Sequence, residues 1–420
     1  MQLVFHGGAR EVGRSCIELR GSRRLLLDCG LKISEHETEY PVGFTTVNDI
    51  DAVFITHAHL DHTGALPWMD HKGMACPIFM TKTTRDLTRL ILRDAFKVGK
   101  ITHQHLGYDE VDIKKVLHCI TRVVADTKGS VKDVDFEFFD AGHIPGSAYV
   151  LLETEGKKIL YTGDINTAET LLLHAAETLP QVDVLICEST YGYKEHPLRT
   201  KTESEFIAKI NQVISGGGSC IIPVFAIGRA QEILLLLSKY KWKVPIYFDG
   251  MCIAATDIAL SNPEDITDSD ALQAALRKVK LVKKDSDRHT AVRTRSIIIT
   301  TSGMLTGGPV TQYLKYLYND YKSAILLTGY QAEHTNGRLL LEKNAVYLDG
   351  LKKQVKCQIA QYDFSAHAGM PQLKELVRST NPKKVFFVHG EEHSVLALQE
   401  WADALGIESY APKIGDIIDI

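Results

Sequence analysis

The chain has 420 residues, 45% of them hydrophobic, and a formal net charge of -4. That length exceeds the size at which a single core usually keeps growing, so two domains are expected. The near-balanced charge excludes binding to nucleic acid through a global basic surface, and any polyanionic substrate must be met locally. The eight cysteines stand singly at 16, 29, 76, 119, 187, 220, 252 and 357. They form neither a C-x-x-C pair nor a secreted disulfide framework, so buried thiols are the expectation. No apolar run reaches the roughly 18 residues of a membrane span. The start "MQLVFHGGAREVG" lacks the pattern of a signal peptide, and a cytoplasmic protein with no membrane partner is expected.

In chain order, apolar runs of strand length alternate with segments of helical period, which argues for α/β layers. The runs are "RLLLDCG", "DAVFITH", "KKILYTGD", "VDVLICE", "SCIIPVFAIG", "SIIITTSGM", "SAILLTGYQ" and "KVFFVHG". Helices are predicted over 83–98, 202–214, 228–240 and 370–380, and the apolar tail "IGDIIDI" reads as a final strand or part of a contact surface. Five runs end on ionisable residues: Asp28, His57, Asp164, Glu188 and His389. One such ending is ordinary; five predict convergence on one edge of a sheet, where ligands of α/β proteins gather.

The stretch "THAHLDHTG" places His57, His59, Asp61 and His62 within six positions. A lone surface histidine is usually just solvated, but four such groups together cannot all be satisfied in an apolar core, and metal binding explains them better. In extended backbone, positions i and i+2 share a side. His57 and His59 can therefore hold one ion while Asp61 and His62, past a turn, reach another. Imidazole and carboxylate without thiolate suit zinc, with manganese or iron as alternatives. Two ions need further ligands, and "AGHIPGSA" offers His143, "YTGD" offers Asp164, and "VHGEEH" offers His389 with His393 as a competitor.

These motifs, with the early "GGAREVGRSC" and "LLLDCG", resemble those of the metallo-β-lactamase superfamily in its nucleic-acid-processing branch. The 178 residues between Glu188 and His367 exceed any simple loop. They resemble the inserted cassette of the β-CASP family, which includes the nuclease subunit of the cleavage and polyadenylation specificity factor, its archaeal relatives and the RNase J group. "CESTYG", "DFSAHAG" and "FFVHG" supply Glu188, His367 and His389 in family order. The resemblance implies an αββα sandwich over 1–192 and 366–420, interrupted by an α/β domain over 193–365.

By the same resemblance, His57, His59 and His143 would hold one zinc, Asp61, His62 and His389 a second, and Asp164 would bridge them. Asp28 would orient a ligand. DNA-processing members tend to carry an apolar residue in place of the last histidine, so His389 tilts the substrate towards single-stranded RNA.

The implied reaction is hydrolysis of an RNA phosphodiester by a hydroxide activated between two metals, leaving a 5'-phosphate and a 3'-hydroxyl. Asp61, Glu188 and His367 are the catalytic candidates. His367 would protonate the leaving oxygen, with its ring held and its pKa raised by Glu188. Arg229, Ser302 and Gly303, in strand-to-helix turns, are candidates for holding phosphate. Endonucleolytic cleavage is expected, with 5'-to-3' exonuclease action of RNase J type as the alternative. A catalytically silent scaffold and a small-molecule hydrolase fit less well. The lysine-rich stretch 277–295 reads as a solvated face, and a homodimer is expected by analogy. One departure is His334, where relatives commonly have glycine.

Overall fold

The computed structural model describes residues 1–33, 38–104, 106–176 and 178–420. The chain divides into two compact units, one formed by Met1–Glu169, His174–Glu195 and His367–Ile420, the other by Thr170–Leu173 and His196–Ala366.

The first unit is built on two seven-stranded sheets. One runs Ile417–Asp419, Gln2–Gly7, Cys16–Arg20, Arg24–Leu27, Ala52–Phe54, Ile78–Thr81, Ile120–Val123. The other runs Glu408–Tyr410, Lys384–Val388, Val184–Glu188, Lys157–Tyr161, Ala148–Thr154, Val134–Asp140, Lys128–Val131. Strand side chains alternate between faces, and the alternation fixes the layers. Leu25, Leu27 and Phe54 of the first sheet meet Phe136, Phe138, Val150, Ile159, Ile186 and Phe386 of the second in one central core. Leu26 and Val53 point the other way and pack on Leu66 and Met69 of the helix Leu66–His71. In the second sheet Leu185 and Phe387 turn outward onto Leu373 and Val377 of one helix and Val395 and Leu398 of another. Helix, sheet, sheet and helix follow in layers. Runs such as "RLLL" are continuously apolar because both of their faces are buried.

The second unit holds a six-stranded, wholly parallel sheet in the order Lys280–Leu281, Ile246–Asp249, Ile297–Thr300, Cys220–Pro223, Ala324–Leu327, Gln358–Gln361. The predicted helices appear as Lys82–Ile101, Arg199–Ser215, Arg229–Ser238 and Met370–Thr380. The first of these runs a turn beyond its predicted end, and Thr81 caps its start by accepting the Thr84 N–H at 3.1 Å. The tail strand Ile417–Asp419 pairs antiparallel with Gln2–Val4. No helix among the described residues is long and apolar enough to cross a membrane.

One expectation needs correction. The five ionisable strand ends do not share a single sheet. Asp28 and His57 follow strands of the first sheet, whereas Asp164, Glu188 and His389 end or follow strands of the second. Within each set the strands run parallel. The two sheets face each other across one core, so their carboxyl ends can open on a common site. Periodicity reports which faces of a strand are buried, not which sheet it joins.

Candidate metal centre

The strand Ala52–Phe54 gives way to extended chain carrying His57 and His59, and a one-turn helix, Leu60–Thr63, then presents Asp61 and His62. That helix is held by the segment after Asp28 and by Ser15. Cys29 N–H donates to His62 O at 2.8 Å, Ser15 N–H to Asp61 O at 2.8 Å, and Ala65 N–H to Cys29 O at 3.0 Å. The approach is so close that a Cβ on Gly30 would lie 1.6 Å from the Asp61 carbonyl oxygen, which explains the glycine in "LLLDCG". His389 has a left-handed backbone, φ +48°, and is held there by its N–H donating to Gly8 O at 2.6 Å. The early glycine motif therefore fixes a residue near the other end of the chain.

Two groups of ligand atoms result. His57 Nε2 and His143 Nε2 lie 3.1 and 3.2 Å from His59 Nδ1, and both face Asp164 Oδ2 at 3.4 and 3.5 Å. His389 Nε2 lies 3.3 Å from Asp61 Oδ2, while His62 Nε2 and His389 Nδ1 stand 3.5 and 3.0 Å from Asp164 Oδ1. One oxygen of Asp164 thus faces each group.

Beside them His367 Nδ1–H donates to Glu188 at 3.0 Å, and its ring centroid lies 4.5 Å from that of His143. Glu188 is fully buried and also accepts the Ile165 N–H at 2.6 Å. Ala368 N–H donates to Ile165 O at 2.7 Å, and Tyr191 bridges Gly369. The chain is thereby pinned on either side of the His–Glu pair. His393, the competitor to His389, is exposed, with its ring 4.4 Å from that of Tyr193 and Nδ1 3.5 Å from Glu391.

The remaining candidates lie in the second unit. Arg229 opens the helix Arg229–Ser238 behind Gly228, and its guanidinium sits 5.9 Å from the Phe364 ring. Ser302 and Gly303 follow the strand Ile297–Thr300. Ser302 Oγ donates to Thr306 O at 3.3 Å, and Gly303 O accepts from Gln331 Nε2 at 3.2 Å. All three follow the carboxyl ends of the neighbouring parallel strands Cys220–Pro223 and Ile297–Thr300.

Residues 17–189 match the metallo-beta-lactamase superfamily domain, 230–340 the Beta-Casp domain, and 352–412 the Zn-dependent metallo-hydrolase RNA specificity domain. A protein called "Probable RNase MJ4" from Methanocaldococcus jannaschii is 41% identical over the whole of both chains. The chain belongs to the β-CASP family of the metallo-β-lactamase superfamily. An "RNase J-like protein" of the same organism is 38% identical to this β-CASP chain, covering all of it and 99% of the relative. "Cleavage and polyadenylation specificity factor 73" of Drosophila melanogaster is 32% identical over the whole chain and 65% of its own length. A crystal structure of a protein of unknown function from Enterococcus faecalis V583 shares the fold, with a TM-score of 0.61 at 14% identity over 100% of this chain and 99% of that one.

The family implies a divalent metal, and the residues of this β-CASP chain fit one. Among the described residues, buried His62 Nε2 and Asp164 Oδ1 have no well-aligned hydrogen-bond partner and meet each other, Asp61 and His389 as ion-pair contacts, a costly state that a cation would relieve. Burial, reinforced by neighbouring imidazoles, pushes His57 well below the usual histidine range, and burial lowers His59 to about 4. Both therefore stand neutral, as ligands must. Burial also opposes charge on His62 and His389, but Asp164 and Asp61, joined by Asp28 at His62, outweigh it and raise both. Burial works against the Asp164 carboxylate too, and His389, His62 and His57 overcome it and hold its pKa well down. His367 is likewise raised by Glu188 and Asp164 against the pull of burial.

Two positioning residues escaped the sequence reading. Asp28 Oδ2 accepts from His62 Nδ1 at 2.7 Å, Thr56 Oγ1 at 2.8 Å and Tyr161 OH at 2.8 Å, and Thr56 Oγ1 in turn stands 3.0 Å from His57 Nδ1. Thr56 and Tyr161 thus extend the reach of Asp28, an arrangement that would leave the Nε2 atoms of His57 and His62 free to hold a metal. Their signal was their placement inside "ITH" and "LYTGD", Thr56 next to His57 and Tyr161 three residues before Asp164.

Proposed function

We propose that this chain is a metal-dependent ribonuclease that hydrolyses single-stranded RNA with two zinc ions. One would be held by His57, His59 and His143, the second by Asp61, His62 and His389, with Asp164 between them. The observation that carries the reading is the pair of ligand groups facing opposite oxygens of Asp164, with the His367–Glu188 pair alongside. The similarity to ribonucleases and to a cleavage factor supports RNA as substrate.

When bound, the ions supply Lewis acidity that lowers the pKa of water and offsets phosphate charge. The chain's own residues do the rest. Asp28 and Thr56 hold the imidazoles in the tautomer that leaves Nε2 as ligand. Glu188 accepts from His367 Nδ1–H and so stabilises the imidazolium, which delivers its Nε2 proton to the departing 3'-oxygen. Arg229, Ser302 and Gly303 are proposed to hold phosphates of the strand. Internal cleavage is the favoured mode, in cytoplasmic RNA processing and from a homodimer. The likeness to an RNase J-like protein keeps 5'-to-3' exonuclease action as the second reading.

The deciding experiment incubates 5'-labelled, partly single-stranded RNA with zinc-loaded protein and with His62→Ala and His367→Ala. Discrete internal products, lost in both variants, are expected. Mononucleotide release that requires a 5'-monophosphate would replace the endonuclease with the exonuclease. Cleavage persisting in both variants would refute the assignment of the site.

A further inference from the structure

The second unit carries a cavity of about 370 Å³ that the reaction described above does not use. It lies beside the carboxyl end of the strand Ile246–Asp249, between the helices Asp285–Arg293 and Pro309–Leu317. In an open parallel sheet this is the side on which ligands bind, and the volume falls in the range of small-ligand sites.

Its floor is preorganised. Asp249, 1% exposed, accepts from Arg288 Nε at 2.7 Å and Nη2 at 2.9 Å, and the OH of the buried Tyr313 donates to the same carboxylate at 2.8 Å. The guanidinium is thus locked in one plane. Arg288 Nη1 also donates to Asp285 Oδ1 at 2.5 Å, so the rim presents guanidinium N–H donors next to carboxylate acceptors. The ring pair His289 and Tyr316, edge to face at 5.5 Å, stands at the same opening, with Tyr316 54% exposed.

The charge balance decides the ligand class. Asp249 cancels Arg288 and Asp285 adds a negative charge, which disfavours a phosphate group. A flat heterocycle is the better match, because exposed aromatic rings stack on bases. Guanine alone among the RNA bases offers adjacent N1–H and N2–H donors beside an O6 acceptor, the complement of the Asp285–Arg288 rim. We propose that this cavity docks a guanine base of the single-stranded RNA substrate, held by Asp285 and Arg288 at its edge and by Tyr316 at its face. The proposal rests on the ribonuclease reading for the source of the base, not for the binding itself.

The test is calorimetric titration of the full chain with guanosine, adenosine and inorganic phosphate, and then with a short oligouridylate carrying either one internal guanine or none. Guanosine is expected to bind at least about fivefold tighter than adenosine, in line with one good paired edge contact. Asp285→Asn should erase that preference, and Tyr316→Ala should weaken both nucleosides. Both side chains are surface-exposed, and far-ultraviolet circular dichroism checks that the variants fold. The guanine-bearing oligonucleotide should bind tighter than its all-uridine counterpart, a difference that Asp285→Asn removes.

Equal binding of both nucleosides, no binding of either, or displacement of guanosine by phosphate would overturn the proposal. Binding of guanosine without any gain in the guanine-bearing oligonucleotide would assign the cavity to a free nucleoside or nucleotide instead. Because no arm requires turnover, guanosine binding in a chain that fails to cut RNA would refute the ribonuclease reading and leave the cavity standing. Cleavage without guanosine binding would do the reverse.

Discussion

A single oxygen of Asp28 accepts from His62, Thr56 and Tyr161, and the chemistry of the site depends on what that oxygen orients. Removing one of its three donors should loosen His62 without removing a ligand. Tyr161→Phe is therefore expected to weaken zinc affinity by about tenfold, at the mild end of such changes, as measured by competition with a chromogenic chelator. His367→Gln should leave zinc affinity intact and slow cleavage by about 10²- to 10⁴-fold. Because the folded-state pKa of His367 is raised, its acid form survives above the usual histidine value. The rate it supports should be present below that value and fall as pH rises through the raised pKa, a limb absent in His367→Gln. His62 and His389 are also raised, so protons compete with metal there. Zinc affinity should rise with pH through their titration, with protons released on binding, which calorimetry in buffers of different ionisation enthalpy would detect.

At the scale of elements, the candidate ligands could be named from the sequence because metal ligation needs particular residue types at short spacing, and the structure brings His57, His59, Asp61 and His62 together within one turn and its approach. Helices were readable from period; Met370–Thr380 coincides with its prediction because Gly369 and Asn381 bracket an apolar stripe. The backbone contacts between the Asp28 segment and the helix Leu60–Thr63 were not readable, because hydrogen bonds between main chains leave little trace in residue type beyond a glycine. Gly30→Ala should push those elements apart and cost about 1–3 kcal/mol or more, seen as a lower melting temperature together with lost zinc. His334 offers the converse. It is exposed at φ +62°, a region that costs most residues about 1–2 kcal/mol and that glycine enters freely. Glycine's extra chain entropy returns about 0.5–1 kcal/mol of that, so His334→Gly should be neutral to mildly stabilising in thermal melts. The stretch 277–295 keeps Arg277, Lys278, Lys280, Lys283, Lys284, Arg293 and Arg295 exposed as a solvated face, and Arg288 alone turns in to the buried Asp249.

For the whole molecule, the α/β class and the long interruption before His367 were legible because a core must be continuous and 178 residues cannot be a loop. Which strands share a sheet was not, since burial on two faces erases the alternation that would tell one sheet from another. Metal should couple the site to stability, because an ion bound only by the folded chain adds about 2.7 kcal/mol at a hundredfold excess over its dissociation constant. Removing zinc with a chelator should therefore lower the melting temperature, and readdition should restore it. One contact has a further consequence for how the protein comes into being. Asp61 meets His389, a partner 328 positions later in the chain. A ribosome still translating this message holds a nascent chain with most of its proposed ligands but without that partner and, for most of its synthesis, without His367. The proposed nuclease would stay silent towards the transcript that encodes it until the codon for His389 has been read.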